Sequence, residues 1–266
     1  MNGCEVWGFA KENILEKLHS KFCKQILGIR QNSCELGNYP LYINRYIRIV
    51  KYWLRIINTD NIVLRAVINT CLNDAHNGRI NWFSDVKNLL SRCVLCVWEN
   101  PSITSTNVLI SNLRKTVVDV YIQEWWTHIN TSHVLILYNP IKERFRLEPY
   151  FENIVSKKLR STLTKIGVSS HSLRIHTGRY ERERIERQYR YCELCNNGDI
   201  ENEFHFIFIC HHYEHLRIKY IKRLYRCRPS MYKLIMYLNS SNKVEQYMLS
   251  EFLNEAYTVR NNLLNT

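Results

Sequence analysis

The chain has 266 residues, 45% of them hydrophobic, which is enough for one substantial core or two smaller ones and excludes disorder over the whole length. Lys and Arg number 37 against 24 for Asp and Glu, and the net charge of +13 favours polyanionic partners. The ten cysteines are scattered and no signal peptide precedes them, so we expect reduced thiols in an intracellular protein. Because no apolar run approaches the roughly 20 residues that cross a bilayer, we expect no membrane partner.

Helical periodicity dominates the first half of the chain. Apolar residues recur every three or four positions, as Ile14, Leu18 and Phe22 do in the first segment, with charged residues between them. Pro40 suits the first position of the second segment, because that position of a helix does not need a backbone N–H. The pattern predicts helices over residues 11–29, 40–57, 60–78, 82–98 and 105–129.

The pattern changes between residues 131 and 148. Val134, Ile136 and Tyr138 alternate before the turn dipeptide Asn139-Pro140, which predicts short extended segments there. We therefore expect a boundary between a helical region at residues 1–139 and a basic C-terminal region at residues 140–266. In the second region the periodicity predicts helices over 148–166, 213–225, 231–238 and 244–264, so the fold is predicted to be mainly α.

The strongest chemical signal is a motif of the form C-x2-C-x9-H-x4-C, formed by Cys192, Cys195, His205 and Cys210. A gap of two residues lets both thiolates of a turn face one point, and the polar turn at residues 196–199 can bring the later pair back to it. Three thiolates and one imidazole complete a tetrahedral Zn²⁺ site that leaves no position for water. We therefore predict one structural zinc ion in a knuckle over residues 192–210.

Two alternatives to this assignment stay open. The four side chains can be ordinary buried cysteines beside a core histidine, although the spacing and the reduced thiols disfavour that interpretation. The histidine ligand can also differ, because His211, His212 and His215 lie close by in the sequence. We prefer His205, since its spacing from Cys210 is compatible with one helical turn.

Basic residues and tyrosines flank the motif on both sides, a mixture that can combine phosphate contacts with stacking on unpaired bases. We expect RNA or DNA as the partner. The predicted contacts are Arg174, Arg179, Arg182, Tyr189 and Arg190 in the first flank, and Arg217, Lys219, Lys222, Arg223 and Arg226 in the second. The alternative is a solvated helix face whose charge is partly neutralised by Glu181, Glu183 and Glu186.

Residue patterns that carry catalysis are missing from the sequence. It has no adjacent Asp-Asp pair of the kind that holds two metals in polymerase palms, no phosphate-binding glycine loop and no nucleophile elbow. Its eight glycines leave few tight turns for an active site. We therefore expect neither an enzyme nor a small-molecule substrate.

Several stretches resemble a known family in their order and spacing. They are Leu-Arg-Ile-His-Thr-Gly-Arg-Tyr at residues 173–180, Arg-Tyr-Cys-Glu-Leu-Cys at 190–195, and Ile-Glu-Asn-Glu-Phe-His-Phe at 200–206, followed by Cys210. Residues 5–8, 21–28, 35–37, 45–53, 228–230 and 259–261 extend the resemblance over nearly the whole chain. Together these stretches resemble the C-terminal region of animal non-LTR (LINE-type) retrotransposon reverse transcriptases, which contains a helical segment after the palm and a CCHC zinc-binding region.

The resemblance implies a helical thumb- or connector-like region followed by a small zinc-knuckle module with short strands and flanking helices. It also implies contact with template or target nucleic acid. The matching residues begin after the palm, so the catalytic carboxylates and the N-terminal endonuclease of the family are not covered and polymerase activity is not implied. The alternative is a domesticated or remnant helical protein-interaction module, in which a structural zinc site has no nucleic-acid role.

Overall fold

The protein is mainly α-helical in a computed structural model that describes residues 3–10, 14–28, 36–91, 105–142 and 144–265. These residues contain no β-strand beyond two isolated antiparallel bridges, Leu36 with Leu147 and Tyr191 with Ile200. The mainly α prediction is therefore confirmed, whereas the short strands expected beside the Cys/His motif amount to a single bridge. Within this part of the chain, no helix has both the length and the apolar character needed to cross a membrane.

Fourteen α-helices are present in the described residues. The first six are α1 (Cys4–Trp7), α2 (Ile14–Leu27), α3 (Leu41–Ile57), α4 (Ile62–His76), α5 (Trp82–Ser91) and α6 (Thr106–Thr131). The next four are α7 (Tyr138–Ile141), α8 (Tyr150–Asn153), α9 (Lys157–Gly167) and α10 (Arg174–Thr177). The last four are α11 (Glu214–Tyr220), α12 (Arg223–Arg226), α13 (Met231–Leu238) and α14 (Lys243–Leu264).

The helices predicted from the periodicity of the first half are confirmed as α2 to α6, with ends that differ by a few residues. The last part of the fourth predicted helix, residues 92–98, lies outside the described residues. In the second half, α13 and α14 match their predictions closely. The amphipathic pattern was therefore a sound guide wherever one face of a long helix packs against a core.

Three predicted segments differ from the structure. The stretch before Pro140 is not extended but forms the turn of α7, in which proline at the third position costs no hydrogen bond. The predicted helix over residues 148–166 is divided into α8 and α9, because Ser156 is extended and its side chain accepts a hydrogen bond from the backbone N–H of Leu159. The predicted helix over residues 213–225 is divided at Ile221, which is also extended.

Packing divides the chain into two compact units. Unit 1 comprises residues 1–21 and 39–127, and unit 2 comprises residues 22–38 and 128–266. The chain thus changes unit three times, within α2, between residues 38 and 39, and within α6. The expected boundary between residues 139 and 140 stays a prediction, because compactness alone does not show which segments fold independently.

Unit 1 is organised around α3, which packs against α1, α4 and α5. Ile49, Val50 and Trp53 from α3 are buried in its core. Arg45 on the same helix is also fully buried, and its guanidinium donates hydrogen bonds to the carbonyl of Ala10 (2.9 Å) and to Glu16 Oε1 (3.2 Å). The buried charge is therefore paired, as a charge in an apolar core must be.

Unit 2 is organised around the long C-terminal helix α14, which packs against α8, α9 and α11. Phe252 and Ala256 of α14 are completely buried. Phe206, which belongs to the Cys/His segment, is equally buried, with its ring centroid 4.8 Å from that of Tyr213 and 4.9 Å from that of Tyr257. The helix that forms the core of unit 2 thus also holds the segment that carries the predicted metal ligands.

Candidate metal centre

The first two cysteines of the motif lie on a tight reversal of the chain. The backbone N–H of Cys192 donates to the carbonyl of Asp199 (2.8 Å), and that of Glu201 donates to the carbonyl of Arg190 (2.9 Å). Between these bonds, Asn196 (φ 51°) and Gly198 (φ 72°) adopt the left-handed conformation that these residue types tolerate best. The polar turn predicted at residues 196–199 is confirmed, and it places both thiols on one side of the reversal.

The last two motif residues lie at either end of a π-helical segment. His205 is the first residue of the π-helix His205–Ile209, and Cys210 follows its last residue. The backbone N–H of Cys210 donates to the carbonyl of His205 (2.8 Å), and that of His205 donates to Oδ1 of Asn202 (2.8 Å). A π turn spans five residues, so it returns position 210 to the side of the helix occupied by position 205. The predicted helical turn between these residues is present in this wider form.

The four motif side chains are buried, and their ligand atoms all lie within 4.8 Å of one another. Cys195 Sγ is 3.4 Å from His205 Nε2. A tetrahedron with metal–sulfur bonds of about 2.3 Å and a metal–nitrogen bond of about 2.0 Å has edges of about 3.5 to 3.8 Å. The separation of 3.4 Å is close to that range and no pair exceeds it by more than about 1 Å, so this buried Cys₃His group can hold a metal ion.

The neighbouring histidines have other positions. His211 and His215 are exposed, and the ring of His212 is hydrogen-bonded through Nε2 to the carbonyl of Leu194 (2.9 Å). Nδ1 of His205 faces Oδ2 of Asp199 at 3.7 Å, which is beyond hydrogen-bond range but on the side where metal-bound histidines commonly meet a carboxylate. The preferred ligand His205 is therefore the histidine that joins the three cysteines.

Hydrogen bonding and burial shift the pKa values of the three motif cysteines in different directions. The hydrogen bond between Cys192 and Cys210 lowers the pKa of Cys192 and raises that of Cys210, while burial raises the pKa of Cys195. Burial lowers the pKa of Arg217, and the nearby Cys210 opposes this effect only in part. A metal cation bound by the three thiolates would displace the protons that remain on these thiols.

A buried ion pair connects the segment that carries the Cys₃His group to the C-terminal helix. Arg260 of α14 donates from Nε to Glu201 Oε1 (2.7 Å) and from Nη2 to Oε2 (2.8 Å), and the two side chains are 5% and 1% exposed. Oε2 of Glu201 also accepts from the backbone N–H of Arg174 (2.7 Å). Neither residue stood out in the sequence, because the partners are 59 positions apart and no local spacing signals such a pair.

A second buried carboxylate, Glu203, accepts hydrogen bonds from His171 Nε2 (2.8 Å) and from the hydroxyl of Ser169 (3.1 Å). The backbone N–H of Leu173 points at Nδ1 of His171 (3.4 Å), which assigns the ring proton to Nε2. Both carboxylates of the Ile200–Phe206 stretch therefore hold loop segments in place, and their contacts are structural.

The residues predicted to contact nucleic acid fall into groups with different exposure. Arg182, Tyr189, Arg223 and Arg226 are exposed. Lys219 and Lys222 are also exposed, but they form ion pairs with Glu255 (3.1 Å) and Glu245 (2.7 Å). Arg174 and Arg179 are half-buried, and Arg174 is paired with Glu181 (2.6 Å) and Glu193 (3.2 Å).

Two of the predicted contact residues are buried. Arg190 is only 4% exposed and donates three hydrogen bonds to the backbone carbonyls of Ile175 and Ile185, at 2.7 to 3.0 Å. Arg217 is buried near Cys210 of the Cys₃His group, with Nη2 at 3.5 Å from the carbonyl of Ile209. These guanidinium groups hold the backbone of the segment, and little of their surface is open to a phosphate.

Glu245 makes the stability of unit 2 depend on pH. It accepts hydrogen bonds from Lys222 Nζ (2.7 Å), Tyr225 Oη (3.0 Å) and Ser240 Oγ (2.6 Å), which outweigh the opposing effect of burial and hold its pKa below the ordinary value. A depressed folded-state pKa contributes stability above the unfolded pKa of about 4.3, and this contribution is lost as pH falls through the folded value. Urea unfolding at several pH values from about 6 to 3 measures this effect. The free energy of unfolding of the unchanged protein should exceed that of Glu245→Gln by less and less as the pH falls. A difference between the two proteins that stays constant with pH would contradict this assignment.

No model of a known protein family matches the chain, and neither do curated proteins or solved structures. The features that bear on its function are the buried Cys₃His group and the charged segments on either side of it.

Proposed function

We propose that the Cys₃His group binds one Zn²⁺ ion whose role is structural. The observation that carries this proposal is the convergence of three sulfur atoms and one imidazole nitrogen within 4.8 Å, in a buried site. Thiolate and imidazole ligands in a tetrahedral arrangement are the set that zinc prefers. Because all four positions belong to the protein, no coordination site is left for a reacting water, and we assign no catalytic role to the ion.

The zinc-centred segment presents a basic surface to RNA or DNA in this proposal. Exposed arginines lie on both sides of it, at positions 182, 184 and 187 before the motif and 223, 226 and 228 after it. Phosphate contacts from such side chains give affinity without sequence preference. Arg190 and Arg217 are left out of the interface because they are buried.

The wider role that we propose is that of the C-terminal part of a LINE-type retrotransposon reverse transcriptase, outside the polymerase palm. Support comes from the motif stretches quoted above and from the helical character of the residues before the Cys/His motif. A protein-interaction module with a structural zinc ion is the competing proposal, and the two differ in their response to salt.

Binding of a nucleic-acid strand should weaken steeply as salt rises. For single strands the logarithm of the affinity falls with the logarithm of salt by about 0.7 for each phosphate contact. Removing the exposed pair by Arg223→Ala with Arg226→Ala should therefore weaken binding and lower that slope by about 1 to 1.5. Fluorescence anisotropy of a labelled oligonucleotide, titrated at several salt concentrations, measures both quantities.

Arg79→Ala provides a matched control, because Arg79 is an exposed arginine of unit 1. It should leave the affinity and the salt slope close to those of the unchanged protein. Absence of binding at low salt, or binding that does not respond to salt, would contradict the nucleic-acid role and favour the interaction module.

A further inference from the structure

An open groove of about 1250 Å³ lies in unit 2, lined by residues other than the metal ligands. Helix α9 contributes one face to it, formed by Lys158, Ser161, Thr162 and Lys165. Helix α14 contributes another, formed by Asn254, Tyr257, Thr258 and Asn261. Each set has the spacing i, i+3, i+4, i+7, which places its members on one side of a helix. Because α9 and α14 pack against each other, the two polar faces meet in one groove.

A further side of the groove is formed by α10 and the segment after it. His176, Tyr180 and Arg182 line this side. The Tyr180 side chain is 67% exposed, and its ring stands edge-on to that of His176, with centroids 5.2 Å apart. Arg182 belongs to the first basic flank of the Cys/His motif, so the groove is continuous with that flank.

The charges of the groove favour an anionic ligand. Three cationic side chains line it, namely Lys158, Lys165 and Arg182. Among its described lining residues the single carboxylate is Glu181, which is paired with Arg174 at 2.6 Å. The serine, threonine and asparagine residues of the lining supply hydroxyl and amide groups that can hydrogen-bond to phosphates or sugars. A large exposed aromatic ring in a cationic groove suits a ligand that has both phosphates and flat bases.

We propose that this groove binds a single-stranded segment of RNA or DNA, with Lys158 and Lys165 on its phosphates and Tyr180 stacked on a base. The inference rests on the proposed function and deepens it by naming the strand type and the subsite. Seven residues of helix rise about 10 Å, which is the length of about three stacked nucleotides. A single strand offers base faces to Tyr180, whereas a duplex keeps them stacked on each other.

Anisotropy titrations of a short labelled oligothymidylate at low salt test this subsite. Tyr180→Ala should weaken binding roughly 5- to 100-fold, and Tyr180→Phe should keep most of the affinity because the ring remains. Lys158→Ala with Lys165→Ala should lower the salt slope by about 1 to 1.5. Tyr232→Ala is the matched control, because Tyr232 is 71% exposed and does not line the groove. Circular dichroism and metal content identify any variant that has not folded.

A second measurement locates the strand without relying on variants. Ultraviolet cross-linking of a bromouridine-substituted strand, followed by peptide mass spectrometry, should label the peptide that contains Tyr180. The groove is excluded if its variants bind the strand as well as the unchanged protein does. The proposed function still stands in that case if the double variant Arg223→Ala with Arg226→Ala has lost binding. If the unchanged protein binds a duplex but no single strand, the groove proposal fails and the proposed function stands; if it binds neither, both fail. Binding that is lost with Tyr180→Ala and kept with Tyr232→Ala supports the groove.

Discussion

Cys192→Ser should abolish metal binding and unfold residues 190–216, while helices α3 to α5 of unit 1 keep their protection. Cys192 is buried among the other three ligands, and a serine hydroxyl is a poor replacement for a thiolate. Metal binding supplies folding free energy on the order of 10 kcal/mol in small zinc-binding peptides, which we expect to exceed what the buried Phe206 and the Glu201–Arg260 pair contribute to holding this segment. Hydrogen exchange followed by mass spectrometry, together with the metal content, measures both effects.

Cys227→Ser is the control for this substitution. Cys227 is an exposed free thiol and is not part of the Cys₃His group, so its loss should change neither metal content nor exchange rates. Full metal content and unchanged protection in Cys192→Ser would remove Cys192 from the ligand set. Loss of protection over the whole chain would show that the metal centre supports both units.

Arg260→Met should destabilise unit 2 by about 3 to 5 kcal/mol. The substitution leaves Glu201 buried with its charge uncompensated, and breaking a buried ion pair from one side has a cost of that size. The pair also anchors the segment that carries the Cys₃His group, and Glu201 accepts a hydrogen bond from the backbone N–H of Arg174 as well. Urea unfolding followed by circular dichroism measures the loss, and metal affinity should fall with it.

A double variant separates the ion pair from simple packing. Arg260→Met combined with Glu201→Leu removes both charges, so it should cost much less than the sum of the single substitutions. Lys219→Met provides a surface comparison, because its pair with Glu255 is largely exposed and should matter far less. A small loss in Arg260→Met, or additive losses in the double variant, would show that the pair contributes little.

The sequence predicted the parts of the fold that depend on local patterns. Helix α3 followed from its apolar spacing, and the reversal that carries Cys192 and Cys195 followed from the Cys/His spacing and the turn residues between them. The prediction of extended segments before Pro140 was wrong. Leu135, Leu137 and Tyr138 are all buried there, whereas Ile136 is half exposed, so burial does not alternate along the segment. Tertiary packing decided which of these apolar residues face the core.

Contacts between distant segments could not be predicted in this way. The Glu201–Arg260 pair joins two of the stretches on which the resemblance rests, yet each residue alone looks like an ordinary charged position. Arg190 and Arg217 looked like phosphate contacts because basic composition does not show which guanidinium groups are buried against backbone carbonyls. The groove likewise needs α9 and α14 to meet, and their polar faces are far apart in the sequence, at residues 158–165 and 254–261.

X-ray absorption at the zinc edge of the purified protein tests the central claim most directly, because it reports both the presence of zinc and the atoms bound to it. The Cys₃His assignment predicts one zinc per chain with three sulfur neighbours at about 2.3 Å and one nitrogen at about 2.0 Å. His205→Ala should remove the nitrogen neighbour. A folded protein without zinc, or a zinc ion surrounded mainly by oxygen, would contradict the account.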